Sequence, residues 1–227
     1  MLMVTDRIAR VQERIFRSCQ KSGRTPDSVR LVAVTKTLAP DTVNEAIAAG
    51  LDAIGENRVQ EYLRKRPFLL PHEFHLIGHL QRNKVKAILP FCDWIHSVDS
   101  AALAEEMQRQ AAVLGRTFRV LIEVNVSGED SKNGIDAADL PLLAEAVTGL
   151  PNLSLRGLMT VAEFTEDAEA VRPSFRRLRE LREQLQARYP DAHCDQLSMG
   201  MTHDFDVAIE EGATMIRLGT AVFGQRP

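Results

Sequence analysis

Leu31-Val32-Ala33-Val34-Thr35-Lys36, followed by Thr37-Leu38-Ala39-Pro40-Asp41, passes from an apolar run through one amine to a helix start. The run is rich in β-branched residues and reads as a buried strand; the Pro-Asp after it opens a helix. Such a strand belongs to a parallel sheet covered by helices. A lysine at its carboxyl end stands where parallel α/β folds place their ligands. An amine desolvated by apolar walls favours its neutral form and adds to an aldehyde to give an imine. The alternative is a lysine in water at a strand end, the common fate of lysines.

The same strand-to-helix alternation continues along the chain. Strands are predicted at 30–36, 52–55, 73–77, 93–97, 118–126, 153–158, 195–198 and 214–218. Helices are predicted near 41–49, 57–66, 80–89, 100–114, 136–147, 167–188 and 204–211. Asp41, Ser100 and Asp136 stand as helix starts, and Gly50 and Gly115 as stops. Eight strands with seven intervening helices and no Gly/Ser linker describe a single (β/α)8 TIM-like barrel over residues 1–227. A doubly wound open sheet is the alternative. Ahead of the first strand, Ile8, Val11, Ile15 and Phe16 lie at helical spacing within 3–22, so residues 1–25 supply an amphipathic helix that packs on the barrel.

Composition narrows the partners. A formal net charge of −3 over 227 residues gives no electrostatic reason to expect nucleic acid or an anionic membrane. Arg172, Arg176, Arg177, Arg179 and Arg182 cluster, but Glu180 and Glu183 interleave them and predict a solvated helix face. Cys19, Cys92 and Cys194 share no short spacing, which fits a reducing compartment. The charged N-terminal start has no secretory core and no apolar run approaches a membrane span, so a cytoplasmic protein is expected.

Two loops near the C-terminus suit an anion. Ser198-Met199-Gly200-Met201-Thr202 follows the seventh predicted strand, and Gly219-Thr220 follows the eighth; both open into helical turns. Barrels of this kind commonly bind phosphate at these two positions. Arg217 interrupts the apolar run Met215-Ile216-Arg217-Leu218, which is costly unless an acceptor meets it. That acceptor is either a carboxylate on a neighbouring strand or an atom of a bound cofactor. An imine-forming lysine, phosphate loops and an arginine facing a ring acceptor together suggest pyridoxal phosphate.

Leu31–Lys36, Gly55-Glu56-Asn57-Arg58-Val59-Gln60-Glu61, His75-Leu76-Ile77-Gly78-His79-Leu80-Gln81, Ser198-Met199-Gly200-Met201 and Arg217-Leu218-Gly219-Thr220 occur in this order. In these motifs the chain resembles the pyridoxal phosphate homeostasis family, similar in fold to the alanine racemase N-terminal barrel. The resemblance implies a cofactor carried as a Schiff base on Lys36, with Ser198, Gly200, Gly219 and Thr220 around its phosphate. It also implies Arg217 at the pyridine nitrogen and Asn57 lining the pocket, with His79 lining it too or capping the next helix. Thr202 stands where that family often has serine, and Met159-Thr160-Val161-Ala162-Glu163 lacks a frequent proline.

The function expected is buffering or delivery of the cofactor by a monomer with little or no turnover, the partners being the cofactor and the apoenzymes that need it. A racemase is the alternative, and a class I aldolase a more distant one. A racemase needs an acid/base group on each face of the imine. A guanidinium at the ring nitrogen also weakens the cofactor as an electron sink. His72, His75 and His79 invite a metal reading, but His72-Glu73-Phe74-His75 narrowly misses the HExxH pattern, and His72 and His75 would not share a strand face. Lys132 reads as a loop lysine or as a second amine receiving the cofactor.

Overall fold

The computed structural model describes residues 3–128, 133–163 and 165–225. Among them, the strands are β1 (Arg30–Val34), β2 (Ala53–Glu56), β3 (Glu73–Leu76), β4 (Trp94–Val98), β5 (Phe118–Asn125), β6 (Ile135–Asp136), β7 (Leu153–Met159), β8 (Gln196–Ser198) and β9 (Met215–Leu218). All pairings are parallel. The order β1-β2-β3-β4-β5-β7-β8-β9 returns to β1 and closes a barrel, and β6 adds to the end of β5. The eight predicted barrel strands are all present, so the TIM-like barrel holds and the open sheet does not.

These runs are apolar on both faces because both faces are covered. Outward side chains pack under the helices, whereas Trp94, Leu121, Met159 and Met215 form a separate cluster inside the barrel. Polar groups share that interior. At its amino-terminal mouth Glu73 accepts from Trp94 Nε1 at 2.9 Å, Arg119 at 3.0 Å and Arg30 at 2.9 Å. These residues come from β1, β3, β4 and β5, and the network plugs that end.

The helices are α1 (Val4–Lys21), α2 (Pro40–Ala48), α3 (Val59–Lys65), α4 (Val85–Ile88), α5 (Ala101–Leu114), α6 (Leu140–Thr148), α7 (Arg172–Arg188), α8 (Phe205–Glu210) and α9 (Thr220–Phe223). Ser100 caps α5 by accepting from Leu103 N, and Gly115 ends it in the left-handed region at φ 61°. Asp41 is not a cap: Ala39 holds that position, Pro40 follows, and Asp41 places its charge in the first turn. The helix predicted at 80–89 is broken into a 3-10 turn, the short α4 and a second 3-10 turn containing Pro90, which has no N–H to donate. Asp136 starts no helix, because its backbone pairs with Asn125 of β5; α6 begins at Leu140.

Helix α1 buries Ile8, Val11, Ile15 and Cys19 and lies against α8 and α9. Phe16 is half exposed instead of sharing that face. Ser18 Oγ donates to Asp206 at 3.1 Å, Arg14 pairs with the same carboxylate, and Lys21 reaches Glu210 at 3.2 Å. The arginines of α7 are less free than a solvated face requires. Arg172, Arg176 and Arg179 converge on the buried Glu211 at the end of α8, at 3.1, 3.1 and 2.9 Å. Arg177 keeps the expected helical pairing, with Glu180 at 3.7 Å.

Candidate functional site

The turn after β1 is braced from below. Thr35 is buried; its N–H donates to Gly55 O at 3.0 Å and its hydroxyl to Glu56 Oε1 at 2.8 Å. Lys65, on α3, donates to Glu56 Oε1 at 2.6 Å, Thr35 O at 2.8 Å and Glu61 Oε1 at 3.0 Å. Glu61 in turn accepts from the Thr37 N–H. Thr37 sits at φ 65°, a left-handed conformation that costs a β-branched residue about 1–2 kcal/mol. Burial pulls the Glu61 carboxyl upward, but the Lys65 ammonium and the Thr37 N–H hold it below the usual carboxylate range. Burial raises Glu56, against the pull of Lys65. Between Thr35 and Thr37, Lys36 is half-buried, and its amine has no hydrogen bond or ion pair among the described residues. One lysine is fully committed and the other is left uncommitted at the carboxyl-terminal mouth.

Arg217 lies on β9, the neighbour of β1, in register with Val32. Its side chain is 5 % exposed, and burial pushes it down to about 10 while Glu123 and Asp204 pull it up. It stays cationic at neutral pH. Nη1 donates to Ser198 Oγ and Nη2 to Thr160 O, both at 2.6 Å. No described carboxylate forms an ion pair with it, so the neighbouring-strand salt bridge weighed from the sequence is not made. A buried guanidinium bonded to neutral acceptors retains donor capacity for a further acceptor. Nearby on β5, burial pushes the Glu123 carboxyl up to about 7, and its Oε2 has no hydrogen-bond partner among the described residues.

The two loops expected to bind phosphate are tied together. Arg217 N–H donates to Gly200 O at 3.0 Å, and Ala221 N–H donates to Thr202 Oγ1 at 3.3 Å. Gly200 lies at φ +93°, and a Cβ there would stand 2.6 Å from the Ala208 Cβ, so the loop folds onto α8 only with glycine. Gly219 occupies the cap position of α9, and Thr220 is exposed at its first turn. Ser198 differs from its expected phosphate role: its hydroxyl is inside the barrel, between Arg217 and His96 Nδ1 at 2.9 Å. The hydroxyls left at the mouth are those of Thr202 and Thr220.

Asn57 is half-buried just past the end of β2, the strand beside β1. The loop after β3 touches it so closely that a Cβ on Gly78 would fall 2.4 Å from Asn57 O. His79, in that loop, does not cap a helix: Gln81 holds the cap position of the next turn, and His79 Nδ1 meets Asp99 Oδ2 at 2.8 Å. His72 lies outside the barrel, bonded to Tyr62 at 3.0 Å, while His75 is inside. Among the described residues no three His, Cys, Asp or Glu side chains gather as a metal site. Lys132 lies outside the described residues.

An uncommitted amine, a buried cationic donor and paired glycine/threonine loops suit a ligand with an electrophilic carbonyl, a ring acceptor and an anion. The sequence reading did not single out Lys65, His96 or Glu123. His96 and Glu123 share with Arg217 the signal that revealed it, a polar residue inside an otherwise apolar strand.

The sequence model described as "Alanine racemase, N-terminal domain" matches residues 11–227. The chain is 47% identical over 223 residues to the pyridoxal phosphate homeostasis protein of Aquifex aeolicus, covering 97% of each chain. It is 46% identical over 228 residues to the protein of that name from Pseudomonas aeruginosa, covering 100% of this chain and 97% of the other. It is also similar to the structure of PipY from Synechococcus elongatus with PLP bound, at a TM-score of 0.83 and 36% identity, covering 98% of this chain and 100% of that one.

Proposed function

The chain belongs to the pyridoxal phosphate homeostasis protein family, and we propose that it binds pyridoxal 5'-phosphate on Lys36 and acts in homeostasis of that cofactor, with little or no turnover. The observation that carries the residue assignment is the contrast between the two lysines. Lys65 is spent on Glu56, Glu61 and the Thr35 carbonyl, whereas Lys36 has no partner among the described residues. When bound, the cofactor supplies an aldehyde that takes up an amine reversibly, so a protein can both hold it and give it up.

The chain's own groups divide the remaining work. The Lys65–Glu61 brace fixes the left-handed turn at Thr37 and so aims the Lys36 amine over the mouth. Arg217 serves as donor to the ring nitrogen, held from behind by Ser198 and Thr160. Gly200, Gly219, Thr202 and Thr220 surround the phosphate with backbone and hydroxyl groups. Asn57 and His79 line the rim past the ends of β2 and β3. A guanidinium that remains cationic opposes protonation of the ring nitrogen, which supports holding over turnover.

Delivery would go to apoenzymes that need the cofactor. Within the proposal the protein is a cytoplasmic monomer, supported by three buried free thiols and by an α1 whose apolar face already lies on the barrel. No described helix is long and apolar enough to cross a membrane.

The test is the absorbance spectrum of purified protein with added pyridoxal phosphate, before and after borohydride, beside Lys36→Ala. A borohydride-bleached violet band in wild type that is missing from the variant is expected, with L-alanine left optically unchanged. A wild-type protein without the band overturns the assignment. Steady alanine racemisation overturns the lack of turnover.

A further inference from the structure

Arg217 is the head of a string of polar groups that runs through the barrel. Ser198 Oγ, which accepts from Arg217, lies 2.9 Å from His96 Nδ1, and His96 Nε2 lies 2.9 Å from His75 Nδ1. His75 Nε2 stands 3.6 Å from Glu73 Oε2, beyond hydrogen-bond distance and without a partner among the described residues, and Glu73 is the centre of the plug at the far mouth. His75, His96 and Ser198 are all fully buried. Strands β4 and β8 are not neighbours in the sheet, so the His96–Ser198 bond crosses the barrel's inside.

The chemistry of the two ends sets the direction. A guanidinium only donates, so Ser198 Oγ must accept from Arg217, and its own proton needs another acceptor. His96 Nδ1 is that acceptor, which puts the His96 proton on Nε2. That proton in turn goes to His75 Nδ1 and leaves the His75 proton on Nε2, facing the Glu73 carboxylate. The opposite direction would aim two donors at Ser198, leave its hydroxyl proton without a partner and set a bare His75 nitrogen against a carboxylate. Both losses occur in a buried space, where an unmade hydrogen bond costs most. Burial also lowers both histidines from their ordinary values, so each is neutral and has one proton to place.

We propose that His75 and His96 are positioning residues that act through Ser198 to fix the direction of Arg217. The need for such a hold comes from two carboxyl groups near the guanidinium. Glu123 and Asp204 both attract the guanidinium electrostatically. An Arg217 released from Ser198 would turn toward one of them and form an ion pair, withdrawing its donors from the mouth. The string therefore keeps a buried cation aimed at a ligand atom and away from nearby carboxylates. This rests on the cofactor reading, in which that ligand atom is the ring nitrogen.

The first measurement uses the cofactor-free wild-type protein labelled with 15N-histidine. A long-range 1H–15N correlation spectrum, assigned with His75→Gln and His96→Asn, reports which nitrogen carries each proton. Both rings are expected neutral with the proton on Nε2; an Nδ1–H tautomer or an imidazolium at either position overturns the string. The second measurement is the affinity and the visible circular dichroism of the pyridoxal phosphate adduct in wild type, His96→Phe and His96→Asn. Phenylalanine removes the acceptor for Ser198 and is expected to weaken binding about ten-fold, a change of about 1.4 kcal/mol, and to alter the dichroism. Asparagine offers an oxygen near the Nδ1 position and is expected to restore most of both. Wild-type affinity and dichroism in His96→Phe overturn the positioning role. A wild-type protein that forms no adduct overturns the cofactor reading instead, and the tautomers alone then decide the string.

Discussion

Replacing Lys65 by methionine tests whether the brace beneath the Lys36 turn carries the load the distances assign to it. Lys65 is 7% exposed and donates to three acceptors, of which Glu56 is fully buried. Methionine fills much of the volume but leaves the Glu56 carboxylate with only the Thr35 hydroxyl as donor and the Thr35 carbonyl without its ammonium. Breaking one side of a buried ion pair costs about 3–5 kcal/mol, because the remaining charge stays buried and unpaired. For a chain of this length that is roughly 6–20 °C in melting temperature. Urea unfolding of wild type, Lys65→Met, Glu56→Gln and the double variant measures it. The double variant should be more stable than the sum of the singles implies, with a coupling of about 2 kcal/mol. The pH dependence has a defined sign. Burial holds the folded Glu56 above its unfolded value, so its ionisation opposes folding as pH rises through that window. Without Lys65 the opposition grows, and Lys65→Met should lose more stability at pH 8 than at pH 5. A cost below about 1 kcal/mol, or singles that simply add, would refute the brace.

Two other perturbations follow from the same geometry. Glu73 is held down to about 2, by the His75 ring first and then by Trp94 and Arg30, against an ordinary 4.5. Its folded value lies below its unfolded one, so its contribution is complete above the ordinary carboxylate value and is lost as pH falls toward 2. The shift converts to about 3 kcal/mol, reduced to about 2 because the neutral His75 ring adds no net charge and Arg30 is partly in water. Urea titrations at pH 7 and pH 3 should show that loss in wild type and a flatter dependence in Glu73→Gln; equal slopes would refute it. Gly78→Ala places a methyl against the Asn57 backbone and should cost about 1–3 kcal/mol while weakening the pyridoxal phosphate adduct. An adduct of wild-type affinity would show that the Asn57 rim is not part of the site.

The barrel was legible in the sequence because each strand is a short run buried on both faces, and burial writes itself as uninterrupted apolar residues. The two-residue β6 left no such trace; what creates it is the end of β5 extending past its barrel neighbours. The breakup of the 80–89 segment was foreshadowed by Pro90, whose effect on so short a helix is decisive. Lys36 and Arg217 could be singled out one at a time, the first from its place just past an apolar run and the second from its place inside one. The groups that hold them could not. Lys65 meets Glu56 because α3 folds back over β2, and His96 meets Ser198 because closing the sheet brings β4 opposite β8. Those meetings depend on lateral register and closure, which a linear pattern does not encode. Ser198 shows the limit most clearly: the sequence places it at the end of its strand, while the direction of its hydroxyl is decided by two side chains from other strands.

β1 and β9 are sheet neighbours, yet every other barrel strand lies between them in sequence. The Lys36 turn and Arg217 therefore come together only when the ring of strands has closed. Holding that long loop shut has an entropic cost that no local segment can meet alone, so a half-folded chain has no partial version of the site. Occupancy should consequently protect the whole barrel, seen as a uniform slowing of amide exchange across all eight strands and not only at the mouth. Ligand capture then requires a completed fold, and a newly made chain could load its ligand only after its final barrel strand has docked.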